Sequence, residues 1–274
     1  MRSKVLVNGA FTVVNAIASW KGAAIGLDFN VEARAEPHEC IEVEPDTPLI
    51  RESVKLATSR LGVKGAKVEV RSEIPVGWGL KSSSAASNAA VLAVLSVYED
   101  RPNLLEALKL AVKASRISGV TITGALDDAA ASMFGGFVVT DNRKDEILLR
   151  VPIKEMEVAI LLPEGDAMLT SSIDAEKLAK FAKIVDMLIE TLPFRIWEVM
   201  TLNGLLYSQL LGYSVEPALR AIEKGALGAG LSGTGPAIVA VCNPCDEIVE
   251  EWGSYGDVIR RKITNRRAEI SKED

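Results

Sequence analysis

The order of hydrophobic patterns predicts an α+β fold. Short β-branched or alternating runs come first, as in Lys4–Val14 and Ala66–Ile74. Long apolar stripes of helical period, Ser83–Val97 and Leu104–Ile117, follow as a block instead of alternating one by one with strands. A second round of strands, then helices, begins after the charged turn Arg143–Asp145. That turn divides the chain into an expected N-terminal domain, 1–150, and a C-terminal domain, 151–274.

Lys4–Val14 is rich in β-branched residues and reads as a strand, with a turn region around Lys21–Gly26. Val31–Ala35 and Ile41–Val43 read as strands, with Pro37 and Pro45 as breakers. Leu49–Leu61 carries Val54, Leu56, Ala57 and Leu61 at helical spacing, and Ala66–Ile74 alternates as a half-buried strand. Three helices follow: Ser83–Val97, Leu104–Ile117 and Leu126–Phe134, the last stopped by Gly135-Gly136 before a strand, Phe137–Thr140. In the second half, Glu146–Ile153 and Glu157–Leu162 read as strands, and Asp174–Thr191, Phe194–Leu211 and Pro217–Lys224 as helices. Gly225–Gly235 reads as a glycine-rich loop, Ala237–Cys242 as a buried strand, and Val258–Asp274 as a strand with a charged, mobile tail.

Hydrophobic residues make up 48% of the 274, enough to bury a full core without a partner. A net charge of −6 argues against a nucleic-acid binder that works through phosphate contacts. It leaves room for a nucleotide enzyme, whose ligand is held by a local set of donors. Three cysteines, Cys40, Cys242 and Cys245, give no disulfide framework and fit a reducing compartment. The Cys242/Cys245 pair ends a strand instead of opening a helix, and His38 is the only histidine, so neither a redox motif nor a zinc site is expected. Asn8 and Gly9 interrupt the first apolar run and no run is long enough to span a bilayer, so a cytoplasmic protein with no membrane partner is expected.

Three motifs carry chemistry. In Pro75-Val-Gly-Trp-Gly-Leu-Lys-Ser-Ser-Ser-Ala-Ala86 a strand runs into glycines and a helix starts at serines. Backbone N–H groups and the positive end of that helix suit a phosphate chain, Lys81 adds a full charge, and serine hydroxyls can cap, touch phosphate or ligate Mg²⁺. A plain turn with a serine cap explains one serine and one glycine, but not two glycines, a lysine and three serines together. No G-x-x-x-x-G-K-[S/T] occurs, which excludes a P-loop kinase. The second motif, Gly228-Ala-Gly-Leu-Ser-Gly-Thr-Gly-Pro236, contains G-x-G-x-x-G, but a helix precedes it and a strand follows, the reverse of a dinucleotide site. It reads as a backbone wall that can approach a ligand closely, or as a glycine turn with no ligand. The third, Gly124-Ala-Leu-Asp-Asp-Ala-Ala-Ala-Ser-Met-Phe-Gly-Gly136, opens an apolar helix with adjacent acids. One can cap the helix while the other faces a cleft, to hold Mg²⁺ or take a proton from a hydroxyl. The bland reading, two acids at a helix start, stays open on this motif alone.

In this order the three motifs resemble those of the GHMP kinases, the superfamily of galactokinase, homoserine kinase and mevalonate kinase, from Lys4 to about Cys242. The resemblance implies a ribosomal S5 domain 2-like N-terminal domain joined to a ferredoxin-like C-terminal domain. It implies ATP and Mg²⁺ at Pro75, Gly77, Gly79, Leu80, Lys81, Ser82, Ser83, Ser84 and Ala85, with Ser83 assigned to the metal. Lys81 stands where the family usually has glycine, a variant that looks like the archaeal-type shikimate kinase branch. That branch implies phosphorylation of the shikimate 3-hydroxyl in aromatic amino-acid biosynthesis. Asp128, seven positions before Gly135, matches the family's catalytic aspartate, and Lys4 matches the first-strand lysine that pairs with it in mevalonate kinase. Homoserine kinases carry asparagine at the Asp128 position, so positioning and electrostatics are an alternative to proton abstraction there. Asp127, Ser232, Gly233 and Gly235 are the implied acceptor-side residues. Lys21, Arg116 and Arg195 are candidates for the cation that a shikimate carboxylate needs. Another GHMP kinase, homoserine kinase first, is the nearest alternative. A silent ATP-binding sensor and an S5-like RNA-binding module are the non-enzyme alternatives, the latter in conflict with the acidic balance. A homodimer is left open.

Overall fold

The computed structural model describes residues 2–164 and 173–273. In chain order its elements are β1 Arg2–Val14, β2 Lys21–His38, β3 Glu42–Glu44, α1 Pro48–Leu61, β4 Gly65–Ser72, α2 Ser82–Tyr98, α3 Leu104–Ile117, α4 Leu126–Phe134, β5 Phe137–Asp141, β6 Glu146–Val151 and β7 Glu157–Pro163. After these come α5 Ala175–Ala179, α6 Ala182–Glu190, α7 Ile196–Leu211, α8 Glu216–Glu223, β8 Gly228–Leu231, β9 Ile238–Cys242, α9 Asp246–Trp252, β10 Gly256–Lys262 and β11 Glu269–Glu273.

One sheet runs β11-β1-β2-β4-β3, with β5 also pairing the early part of β2 and β6 pairing β5. A second runs β10-β7-β9-β8. The first is antiparallel except for β3, which lies parallel to β4. From Val7 to Val14, β1 is buried at every position because α2 and α4 pack on it from one side and α7 reaches it from the second half of the chain. That double cover explains the apolar run in place of a clean alternation.

α2 is buried almost all round, which its alanines permit: small side chains let neighbouring elements come close on every face. Its polar residues are used as ties. Ser87 Oγ lies 2.8 Å from Ser53 Oγ of α1, and Asn88 Nδ2 donates to Ala129 O of α4 at 2.8 Å. Asn8 of β1 donates to Ser132 O at 3.1 Å, and Ser132 Oγ donates back to Asn8 O at 2.6 Å, so α4 is pinned to both α2 and β1. The start of α4 inherits its position from these bonds.

Several expectations are corrected. Lys21–Gly26 is strand, not turn, because β5 pairs with it from Lys21 to Ile25. β2 continues through Pro37 to pair with β4. The helix expected over Asp174–Thr191 is split in two at Lys180 and Phe181. Gly228–Leu231 is a strand on β9, since glycines there admit α7 closely: a Cβ on Gly230 would sit 2.8 Å from Gly204 Cα. The tail is paired as β11 on β1 from Arg2 to Leu6; its final residue, Asp274, lies outside the described residues. β11 also means that a cut at residue 150 does not separate the two sheets, because the chain returns to the first one. α9, unforeseen, buries Trp252, whose indole N–H donates to Pro217 O at 2.9 Å. Cys242 and Cys245, expected unpaired, are joined by a disulfide.

Candidate active site

A cleft of about 830 Å³, counting its open mouth, is walled by all three motifs. From the first motif Gly77, Gly79, Lys81, Ser82, Ser83 and Ser84 face it, from the third Asp127 and Asp128, and from the late loop Gly233 and Thr234.

The loop between β4 and α2 has positive φ at Gly77 (85°), Gly79 (75°) and Lys81 (67°). Glycine is needed at 79 for a second reason: a Cβ there would come 2.1 Å from Ser232 O. The two glycine loops are thus in backbone contact, and Ser232 is their strut. Its hydroxyl donates to Gly79 O at 2.8 Å and accepts from Thr12 N at 3.3 Å. Thr12 Oγ1 in turn accepts from Gly233 N at 2.9 Å, and Asn15 Nδ2 donates to Gly233 O at 2.7 Å. No side chain caps the start of α2, so its first N–H groups are offered to a ligand. Ser83 is exposed there, a hard oxygen donor of the kind Mg²⁺ takes.

The acidic helix start is held from behind. Arg116 donates to Asp145 through both terminal nitrogens and to the carbonyls of Thr123 and Asn142, tying down the segment before α4. Asn142 Nδ2 donates to Asp127 Oδ1 at 2.9 Å and to Thr123 Oγ1 at 3.2 Å. Asp127 is 3% exposed, and its Oδ2 faces Gly22, where a Cβ would lie 2.4 Å away. Asp128 points to Lys81, whose Nζ stands 3.0 Å from Asp128 Oδ1. Beyond this ion pair, Oδ1 has no hydrogen-bond partner.

Burial raises the pKa of both acids, and Lys81 opposes the rise in each. Asp127 is pushed up to about 7, by burial first and by the Asp128 charge second. Unfolded, it would titrate near 3.8. Between those values the folded state holds a proton that the unfolded chain has lost, so this group's contribution to stability falls as pH rises through that window and stays low above it. Asp127→Asn, which removes the titration, is therefore expected to gain stability relative to the parent as pH goes from 4 to 7. Urea midpoints of both proteins across that range check it; a difference that does not change with pH would mean Asp127 is charged throughout.

The structure relocates several sequence candidates. Lys4 does not meet Asp128: it lies near the outer end of β1, bridged to Glu32 at 2.9 Å. Leu80 and Ala85 are buried at 1% and 0% and lie outside the cleft lining, where they anchor the loop. Pro75 also lies outside the cleft lining. Ser232 is fully buried in its strut, and Gly235 sits against the Tyr213 ring, so neither lines the cleft. None of the three candidate cations lines the cleft: Lys21 pairs with Asp186 at 3.1 Å, Arg116 with Asp145, and Arg195 with Glu198 at 3.1 Å. Thr12 and Asn15 were missed. The signal was a pair of polar residues inside an otherwise apolar strand end, Phe11-Thr-Val-Val-Asn15.

The family model for the GHMP kinases N terminal domain matches residues 48–136, and that for the GHMP kinases C terminal matches 198–258. Shikimate kinases of Methanothrix thermoacetophila and Methanothermobacter thermautotrophicus are 40% and 42% identical to the chain. The alignments cover 100% and 96% of this chain and 98% and 96% of theirs. Among solved structures, homoserine kinase of Cytophaga hutchinsonii superimposes with a TM-score of 0.76 at 18% identity, over 98% of this chain and 97% of that one. Mevalonate kinase of Methanococcus jannaschii gives 0.75 at 14%, over 97% and 98%. With an uncapped helix start, an acid pair and a late glycine loop around one cleft, and with both family models matched in order, the chain belongs to the GHMP kinase family.

Proposed function

We propose that the chain transfers the γ-phosphoryl group of ATP to the 3-hydroxyl of shikimate. The observation that carries phosphoryl transfer is the cleft itself, in which Asp128 and the uncapped start of α2 face the same space. The choice of acceptor is supported by the full-length relatives named shikimate kinase. In this reading the phosphate chain lies on the loop from Gly77 to Ser84, among its backbone N–H groups at the start of α2. Asp128 takes the proton of the acceptor hydroxyl as its oxygen bonds to the γ-phosphorus and the bond from phosphorus to the bridging oxygen of ADP breaks. Ser83 would hold Mg²⁺, which when bound neutralises phosphate charge. Thr12, Asn15 and Thr234 give the acceptor side of the cleft hydroxyl and amide groups, suited to a polyhydroxylated ring. The setting is the cytoplasm, where ATP is supplied.

The test is ADP release from Mg-ATP with shikimate, homoserine, mevalonate and galactose offered in parallel. Release with shikimate, and a new phosphate ester on the product by ³¹P NMR, is the expected result. Release with another acceptor instead would keep the phosphoryl-transfer chemistry and overturn the acceptor. Silence with all four, alongside measurable ATP binding, would favour a sensor.

A further inference from the structure

Lys81 holds the N-cap position of α2 in the left-handed region, φ 67° and ψ 26°. A side chain with a Cβ is strained there and glycine is not. Such strain persists where the surrounding structure enforces it, most often at working sites. Here the side chain has a destination. Its Nζ stands 3.0 Å from Asp128 Oδ1, and the two side chains, 8% and 14% exposed, form the least exposed ion pair among the described residues. Gly233 makes room for the ammonium, since a Cβ at that position would come 2.7 Å from Nζ. Asp127, beside Asp128 on α4, feels the charges of both members of the pair.

A pair kept for stability alone fits this poorly. Shielding two charges from water costs more than it returns unless further hydrogen bonds repay it, and beyond the Lys81 ammonium no hydrogen bond reaches Asp128 Oδ1. Both residues also line the cleft. The expected partner from the first strand is bound to Glu32 at the sheet's far end, and among the described residues Lys81 is the cation paired with Asp128. We propose that Lys81 is the positioning residue for Asp128, so that the phosphate loop itself supplies the charge that aims the acid. The inference rests on the phosphoryl-transfer reading above in placing Asp128 beside the acceptor.

The test is a double-mutant cycle with Lys81→Gly, which relieves the backbone, and Asp128→Ala, read in kcat and in KM for ATP. Lys81→Gly is expected to fold and to lose kcat about 100-fold, as for a disabled acid–base group, while KM for ATP changes by less than about threefold. In the Asp128→Ala background the same substitution should cost almost nothing more, because a residue that acts through another has no separate effect. Methylamine should restore part of the lost turnover to Lys81→Gly and none to the double variant. Losses that multiply would show that Lys81 acts on the substrate independently and would overturn the proposal. A raised KM for ATP with unchanged kcat would make it a nucleotide-binding residue, and overturn it equally. If Lys81→Gly does not fold, Lys81→Gln takes its place in the same cycle. If the parent protein does not turn over shikimate, the acceptor reading falls; the cycle is then read on ATP hydrolysis without acceptor, and non-additivity there upholds the Lys81 role.

Discussion

Asp128→Ala is expected to lower kcat by about 10²- to 10⁴-fold, the range for a lost general acid–base group, with KM for ATP nearly unchanged. Geometry gives the reason. The carboxylate lies at the start of α4, fixed by the Asn88 and Ser132 ties, and faces the cleft across from the uncapped start of α2. Removing it leaves the phosphate loop intact, so ground-state binding of nucleotide should survive while the step that needs a proton acceptor does not. Steady-state kinetics with saturating Mg-ATP decide the matter. Turnover within a few-fold of the parent would remove Asp128 from the chemistry. Asp128→Asn adds a second distinction: if it keeps most of the activity that alanine loses, the position serves to orient the acceptor and not to take its proton.

Gly79→Ala is expected to be strongly destabilising. Its Cβ would come 2.1 Å from Ser232 O, a backbone atom in a strutted turn that cannot swing aside, and the φ of 75° adds its own strain. Left-handed strain and overpacking together come to about 2–5 kcal/mol, or a fall in Tm of roughly 5–15 °C for a chain of this size. ATP affinity should drop as well, since the loop that receives the phosphates is the one displaced. Gly62→Ala is the control: it has a similar φ, 69°, with nothing within 4 Å of the added atom. If the two variants melt together, the contact between the glycine loops is loose and the cleft's wall is not built as described.

How far the sequence could be read depended on whether a residue's partner was local. Helices with a clear stripe and a local cap were legible, as with α3, where Asn103 accepts from the N–H groups of Leu105 and Glu106. So were the glycines of the first motif, because positive φ is a local demand. What failed was decided at long range. Lys21–Gly26 looks like a turn by composition, and only pairing with β5 makes it strand. Arg116 looks like any surface cation until the carbonyls of Thr123 and Asn142 are seen to claim it. Lys4 and Lys81 are equally basic on paper; which of them reaches Asp128 depends on where the outer end of β1 lies relative to the start of α4. The strut role of Ser232 was hidden for the same reason, since its partners Gly79 and Thr12 are far away in sequence.

The return of β11 to β1 has a consequence for biosynthesis. Asn8 donates to Arg266 O at 2.6 Å across a separation of 258 residues, and the same asparagine anchors Ser132 in α4. At ribosomal speeds of about 5–20 residues per second, the first strand waits on the order of tens of seconds for the segment that covers its edge. During that interval β1 presents unpaired N–H and C=O groups to whatever is nearby, the situation in which nascent chains associate wrongly. The Arg2–Leu6 stretch, which β11 will pair, carries Arg2 and Lys4 alternating with Ser3 and Val5, so charge guards that rim while it stands open.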